Sequence, residues 1–327
     1  MPIDDRYIVI TGAAGLIGSC LVRHFNNIGF TNLILVDDLG TGEKWQNLVG
    51  KQFQDIHPIY AFPDWLKGRE TEVQAIIHLG ACSDTTEANG SYLLENNYRY
   101  TLNLAEWALN NDVRFIYASS AATYGDGSLG FSDDHHLLTS LRPLNMYGYS
   151  KHLFDLWALR EGVLDSLVGL KYFNVFGPNE WHKGHMSSAI VKFVNNIKKE
   201  GKLTLFASSE PDKFRDGEQV RDFLYVKDAV SATAAFLNTR KGGIFNIGTG
   251  KAETWKALAN ATFNALEVPE KIEFVPMPHN LVGKYQNYTK AEMGKAKAVI
   301  GKAADTRPLE ETVKDYVTNH LVSHTYW

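Results

Sequence analysis

The stretch VITGAAGLIGSCLVRHF, Val9–Phe25, decides the fold. Its apolar, β-forming residues stop at a glycine-rich turn and resume with apolar residues at helical spacing, so it predicts strand, tight turn, helix. Gly12, Gly15 and Gly18 fall where such a turn needs them. The first permits the turn, the second lets the backbone approach a pyrophosphate, and the third lets helix pack closely on strand. The helix N-terminus offers free N–H groups and a partial positive charge to phosphates. The next apolar run ends at Asp37, nineteen residues after Gly18, where a carboxylate bonds a ribose hydroxyl. Together these features predict a dinucleotide site. Asp37 alone favours NAD, because a carboxylate repels a 2′-phosphate. Lys44, seven residues on, can reach that phosphate and offset the repulsion, so NADP and NAD are both candidates.

Outward from the turn, short apolar runs alternate with amphipathic ones. Strands are expected at Tyr7–Thr11, Leu33–Asp37, Ala75–Leu79, Phe115–Ser119 and Val168–Phe173. Each is nearly continuous in apolar residues, as parallel strands covered on both faces are. Between them lie helical patterns such as GLIGSCLVRHFNNIGF and NNYRYTLNLAEWALNND. The alternation predicts an α/β fold, a doubly wound parallel sheet of Rossmann type, with a smaller interleaved α/β substrate domain. Residues 1–173 plus about 220–248 would form the dinucleotide domain, and about 174–219 plus 249–327 the substrate domain. From Phe176 onward the pattern is less regular, with further strands at Asp222–Val226 and Ile244–Ile247 and a last helix in LEETVKDYVTNHLV. Two long polar loops, near residues 125–144 and 208–220, are functional or simple surface insertions.

A chain of 327 residues, 44% hydrophobic, has ample material for a large core. A net charge of −4 with no polybasic stripe argues against nucleic acid as the main partner. Two cysteines, Cys20 and Cys82, make no disulfide framework and suggest a reducing compartment. The opening MPIDDRYIVI carries acids where a signal peptide carries Lys or Arg, and no apolar run approaches the ~20 residues needed to span a bilayer. A soluble cytoplasmic protein without a membrane partner is expected. SDDHHLL lacks a spaced third ligand, so no metal is expected there. Cys20, Cys82 and His78 read as packed structural residues.

A second constellation lies in MYGYSKHLFDLWAL, which sets Tyr147 and Lys151 four residues apart on one face of a helix. A phenol is a poor base, with a pKa of about 10. A neighbouring ammonium and an oxidised nicotinamide favour its phenolate, so Tyr147 could exchange a proton with a sugar hydroxyl near neutrality. Upstream, YASSAATYG ends a strand with Ser119 and Ser120, which could hold the same hydroxyl.

On the motifs TGAAGLIG, HLGACSDTTE, YASSAATYG, YGYSK, KYFNVFGP and RDFLYVKD, the chain resembles the extended short-chain dehydrogenase/reductases that act on nucleotide sugars. The likeness runs nearly the full length. GACSDTTE, NMYGYSKHLFD, YFNVFGPNEWHKGHM, FNIGTGKAETW and GKYQNYT make it most similar to the ADP-L-glycero-D-manno-heptose 6-epimerases of that superfamily. The resemblance implies that tightly held NADP+ oxidises the heptose at C6 and that hydride returns to the other face. It implies an acid/base on each side of that carbon, Tyr147 and Lys183, with Lys151 on the nicotinamide ribose and Ser120 as the motif serine. Leu16, Ile17, Asp37, Asp38, Lys44, Asn96 and the segment Leu79, Gly80, Ala81, Cys82, Ser83 would line the cofactor, with Val175. Asn174, Lys183, Arg221, Tyr285 and the segment Phe206, Ala207, Ser208, Ser209 would meet substrate, with His185 and Lys192. His185 stands where the family usually has serine, Lys192 where it has histidine, and Leu79 where it has glutamate. The family also implies a homo-oligomer, commonly a pentamer, and a role in making a lipopolysaccharide inner-core precursor.

Other readings stay open at this level. A 4,6-dehydratase usually carries acids after the motif serine or threonine, where this chain has Ala121 and Ala122. A UDP-hexose 4-epimerase needs one tyrosine base, so Lys183 separates it from the 6-epimerase. A non-catalytic NADP-sensing protein on the same fold would be expected to lose Tyr147 or Lys151, and both are present.

Overall fold

The computed structural model describes residues 4–278 and 286–327. Six strands come first: β1 (Tyr7–Thr11), β2 (Leu33–Val36), β3 (Asp55–His57), β4 (Val73–His78), β5 (Arg114–Ser120) and β6 (Leu167–Tyr172). There follow β7 (Asn174–Phe176), β8 (Leu203–Phe206), β9 (Val220–Arg221), β10 (Phe223–Tyr225), β11 (Gly243–Ile247), β12 (Glu253–Thr254) and β13 (Ile272–Val275). Seven of them form a wholly parallel sheet in the order β11-β6-β5-β4-β1-β2-β3. The chain winds outward from β1 to β3, then returns to lay β4 on the other side of β1. That reversal opens a crevice beyond the carboxyl ends of β1 and β4, where open α/β sheets bind ligands.

The sheet follows from its apolar runs. LILV of β2 and VQAIIH of β4 are buried along their whole length, which only a sheet covered on both faces provides. The first helix, α1 (Leu16–Asn27), turns Leu16, Cys20, Leu21, Val22 and Phe25 into the core. Each large apolar side chain so buried contributes about 1.5–3 kcal/mol. Within this sheet, strand limits match the sequence expectation to within two residues. The exception is β3, whose DIH is half-exposed at the sheet edge and offers no apolar run to read.

The smaller elements are interleaved with this sheet. Strand β7 pairs in parallel with β10, β8 with β13, and β9 antiparallel with β12. The helix Val226–Ala235, leaving β10, packs on α1 and so fastens the later half of the chain beneath the glycine turn. None of the helices among the described residues is long and apolar enough to cross a membrane.

Candidate active site

The glycine turn is built by close approach. Gly12 has φ +65°, and a Cβ there would lie 2.7 Å from the Gly80 backbone, so the loops after β1 and β4 touch main chain to main chain. Beyond it α1 starts with no side-chain cap and no acid in its first turn. A bare, positive helix end beside a cradle that a side chain would fill fits the pyrophosphate of a dinucleotide. Asp37 closes the cradle on the β2 side. Its Oδ2 accepts the Ala14 N–H at 2.7 Å and its Oδ1 meets the Lys44 ammonium at 2.6 Å, so Lys44 neutralises the acid beside it.

A buried polar chain fixes the opposite lip. The Thr101 hydroxyl donates to the Asn97 carbonyl, so it accepts from His78 Nε2–H at 2.8 Å. His78 Nδ1 then accepts from the Thr11 hydroxyl at 2.6 Å, whose oxygen takes the Gly80 N–H. Burial, aided by the Lys151 charge, pushes His78 down to about 3, so the ring is neutral, as this chain requires. Asn97 grips both main-chain groups of Cys82, each at 2.9 Å, and donates to Ser150 Oγ at 3.0 Å. It thereby ties the segment Leu79–Ser83 to the helix Met146–Arg160.

That helix carries Tyr147 and Lys151. Asn145 Oδ1 caps it by accepting the Gly148 N–H at 2.8 Å. A Cβ on Gly148 would stand 2.8 Å from the Ala122 carbonyl oxygen, so the glycine lets the helix press against the turn Ala121–Tyr124. Ser120 caps that turn by accepting the Ala122 N–H, and its side chain hydrogen-bonds Tyr147. Burial pushes the Tyr147 phenol up, outweighing that hydrogen bond. Desolvation outweighs the lowering expected from the neighbouring ammonium. Lys151, 5% exposed, is itself brought down to about 8 by burial, partly offset by Asp155.

A cleft of about 600 Å³ gathers these parts. Every residue assigned to the cofactor from sequence lines it, from Gly12 through Asn96 to Val175, and so do Ser120, Tyr147, Lys151, Lys183 and His185. Lys183 comes from the turn Trp181–Met186, and burial lowers its pKa, partly offset by Glu180. Next to it, burial and the charges of Lys183 and Lys44 bring His182 down to about 4. His185 Nε2 lies 3.3 Å from Asp84 Oδ2, another lining residue. A second cavity of about 340 Å³ holds Asn174 and Arg221 and shares Ser120, Tyr147, Tyr172 and Phe173 with the first.

The remaining substrate assignments are not brought together. Lys192 and Phe206–Ser209 line neither cavity among the described residues. Lys192 is exposed and donates to the His185 carbonyl at 2.9 Å; Ala207 N–H pairs with Val275, and Ser208 N–H with Asp216. Tyr285 lies outside the described residues.

Residues 8–248 match the model of the NAD dependent epimerase/dehydratase family. The chain belongs to that family. An ADP-L-glycero-D-manno-heptose-6-epimerase of Nitratidesulfovibrio vulgaris is 48% identical over 96% of this chain and 98% of its own. One of Fusobacterium nucleatum is 42% identical over the same shares. The crystal structure of the Helicobacter pylori ADP-L-glycero-D-manno-heptose-6-epimerase superposes with a TM-score of 0.81 at 27% identity, covering 97% of this chain and 98% of that one. As a member of this epimerase/dehydratase family, the chain uses a nicotinamide dinucleotide.

Sequence reasoning missed the supports of this family member's site. Asn97, Asp155, Lys171, Asn179 and Glu180 are all buried polar residues. The signal available was a charge where a core residue belongs: Lys171 inside the apolar run of β6, and Asp155 one turn beyond Lys151.

Proposed function

We propose that this chain is an ADP-L-glycero-D-manno-heptose 6-epimerase, inverting C6 through a 6-ketone. The observation that carries the reading is the presence of two half-buried proton-transfer groups, Tyr147 and Lys183, in one cleft with the dinucleotide turn. The near-full-length likeness to enzymes of that name supports it. A 4-epimerase that rotates its ketopyranose needs only the tyrosine, and elimination would call for an acid where the neutral Ala121 and Ala122 stand.

The bound nicotinamide supplies the acceptor and donor of hydride. The chain's own residues handle the protons. Tyr147 removes the C6 hydroxyl proton of one epimer and returns one to the ketone oxygen on the reverse pass; Ser120, hydrogen-bonded to it, holds the same oxygen. Lys183 does the corresponding work for the other epimer, and its lowered pKa makes the neutral amine accessible. Lys151 holds the nicotinamide ribose and supplies positive charge beside Tyr147. Asn174 and Arg221 take the nucleotide end of the substrate in the smaller cavity, with His185 at the edge of the larger one.

The finer assignments rest on the same reading. NADP is preferred over NAD, because Lys44 cancels the charge that Asp37 would oppose to a 2′-phosphate. The division into residues 1–173 plus about 220–248 for cofactor and the remainder for sugar is retained, as are a cytoplasmic homo-oligomer and a product destined for the lipopolysaccharide inner core. The test is NMR of ADP-D-glycero-D-manno-heptose with the cofactor-loaded protein in deuterated water. The L-glycero epimer without deuterium at C6 is expected; no conversion by folded, loaded protein overturns the assignment.

A further inference from the structure

The turn Trp181–Met186 contributes no buried residue to the core, so its own packing does not fix Lys183. Each of the four residues before Lys183 is instead tied to a distant element. Asn179 is fully buried at φ +74°, a conformation asparagine tolerates better than most residues. Its carboxamide pairs reciprocally with the Trp327 main chain: Oδ1 accepts the Trp327 N–H at 2.9 Å, and Nδ2 donates to the Trp327 oxygen at 3.0 Å. The same Nδ2 reaches Ser19 Oγ on α1 at 3.0 Å. Glu180 Oε1 accepts from the Tyr316 hydroxyl at 2.7 Å, while its two oxygens hold Ser188 at the far end of the turn. The Trp181 ring stacks on His324 at 5.3 Å. His182 meets Asn47, which also grips the Asn179 carbonyl.

We propose that Asn179, locked to the main chain of Trp327, is the positioning residue for Lys183, and that the segment Tyr316–Trp327 is thereby part of the catalytic apparatus. The Asn179 carboxamide and the Tyr316 hydroxyl bond neither Tyr147 nor the glycine turn, whereas Asn47 reaches both sides, donating to the Ala14 carbonyl at 2.8 Å as well. Losing the carboxamide or the Tyr316 hydroxyl therefore disables one face of the reaction and spares the other. The inference rests on Lys183 acting as the second acid/base.

The test follows the near-ultraviolet absorbance of reduced nicotinamide when cofactor-loaded enzyme meets each heptose epimer separately in a single turnover. Asn179→Gly keeps the backbone conformation and removes the carboxamide; Tyr316→Phe removes one hydroxyl and is the milder variant. In both, oxidation of the epimer served by Lys183 should slow, by about tenfold or more in Asn179→Gly. Oxidation of the epimer served by Tyr147 should stay within about twofold. Lys183→Met is run alongside. If it shows the asymmetry and the other two slow both epimers equally or neither, the positioning role is overturned. If Lys183→Met shows no asymmetry, the acid/base assignment has failed and this inference falls with it.

Discussion

The Lys171 ammonium of β6 sits 2.9 Å from Asp155 Oδ2 of the helix Met146–Arg160, with both side chains fully buried. The same carboxylate accepts from Ser119 at 2.8 Å and from Tyr117 at 2.9 Å, while Lys171 also donates to Thr123. One cluster thus links β5, β6 and the helix that carries Tyr147 and Lys151. Asp155→Asn leaves a buried cation uncompensated and should cost about 3–5 kcal/mol in urea unfolding. The double change Asp155→Leu with Lys171→Met should cost less than Asp155→Asn. The opposite ranking would show that the pair stabilises the fold outright.

Tyr147→Phe should lower turnover about 10²–10⁴-fold, the range of a lost general acid/base. Cofactor retention, followed by absorbance of the purified protein, should be unchanged. Near-normal turnover would remove Tyr147 from the chemistry.

Lys44→Ala should uncover the Asp37 charge and weaken NADP about tenfold more than NAD in calorimetric titrations. Equal weakening of both would show that the lysine serves Asp37 alone.

Gly148→Ala drives a methyl toward the Ala122 carbonyl oxygen. Overpacking there should cost about 1–3 kcal/mol and part Tyr147 from Ser120. Turnover should fall more than that stability loss alone explains, read as kcat at a temperature where the variant is fully folded.

Acid should unfold the protein through His78. Its folded value of about 3 lies below the ordinary 6.5, so the unfolded chain binds the extra proton between those limits. Stability is therefore lost as pH falls below 6.5, at up to about 1.4 kcal/mol per pH unit from this group. His78→Gln should flatten the urea-unfolding slope between pH 6 and 4, by at most about one proton. An unchanged slope would place the acid sensitivity elsewhere.

Much of this is legible in the sequence alone. Gly12, Gly18, Asp37, Tyr147 and Lys151 declare themselves through spacing, because tight turns and helix faces are local. Contacts across long stretches of chain are another matter. Nothing near Asn179 in the sequence announces Trp327, and nothing near His78 announces Thr101, since burial and partner choice arise only when the sheet assembles. The half-exposed strand Asp55–His57 was invisible because pairing with β2 holds it, without an apolar run of its own. Phe206–Ser209, which the resemblance assigns to substrate, engage β13 and Asp216.

Ser120, Tyr147, Tyr172 and Phe173 line both cavities, so the two chambers share a party wall. A substitution in that wall acts on both sides at once: a smaller side chain at Phe173 enlarges both chambers, and a bulkier one at Ser120 narrows both. No change at these four positions can tune one chamber and leave the other as it was.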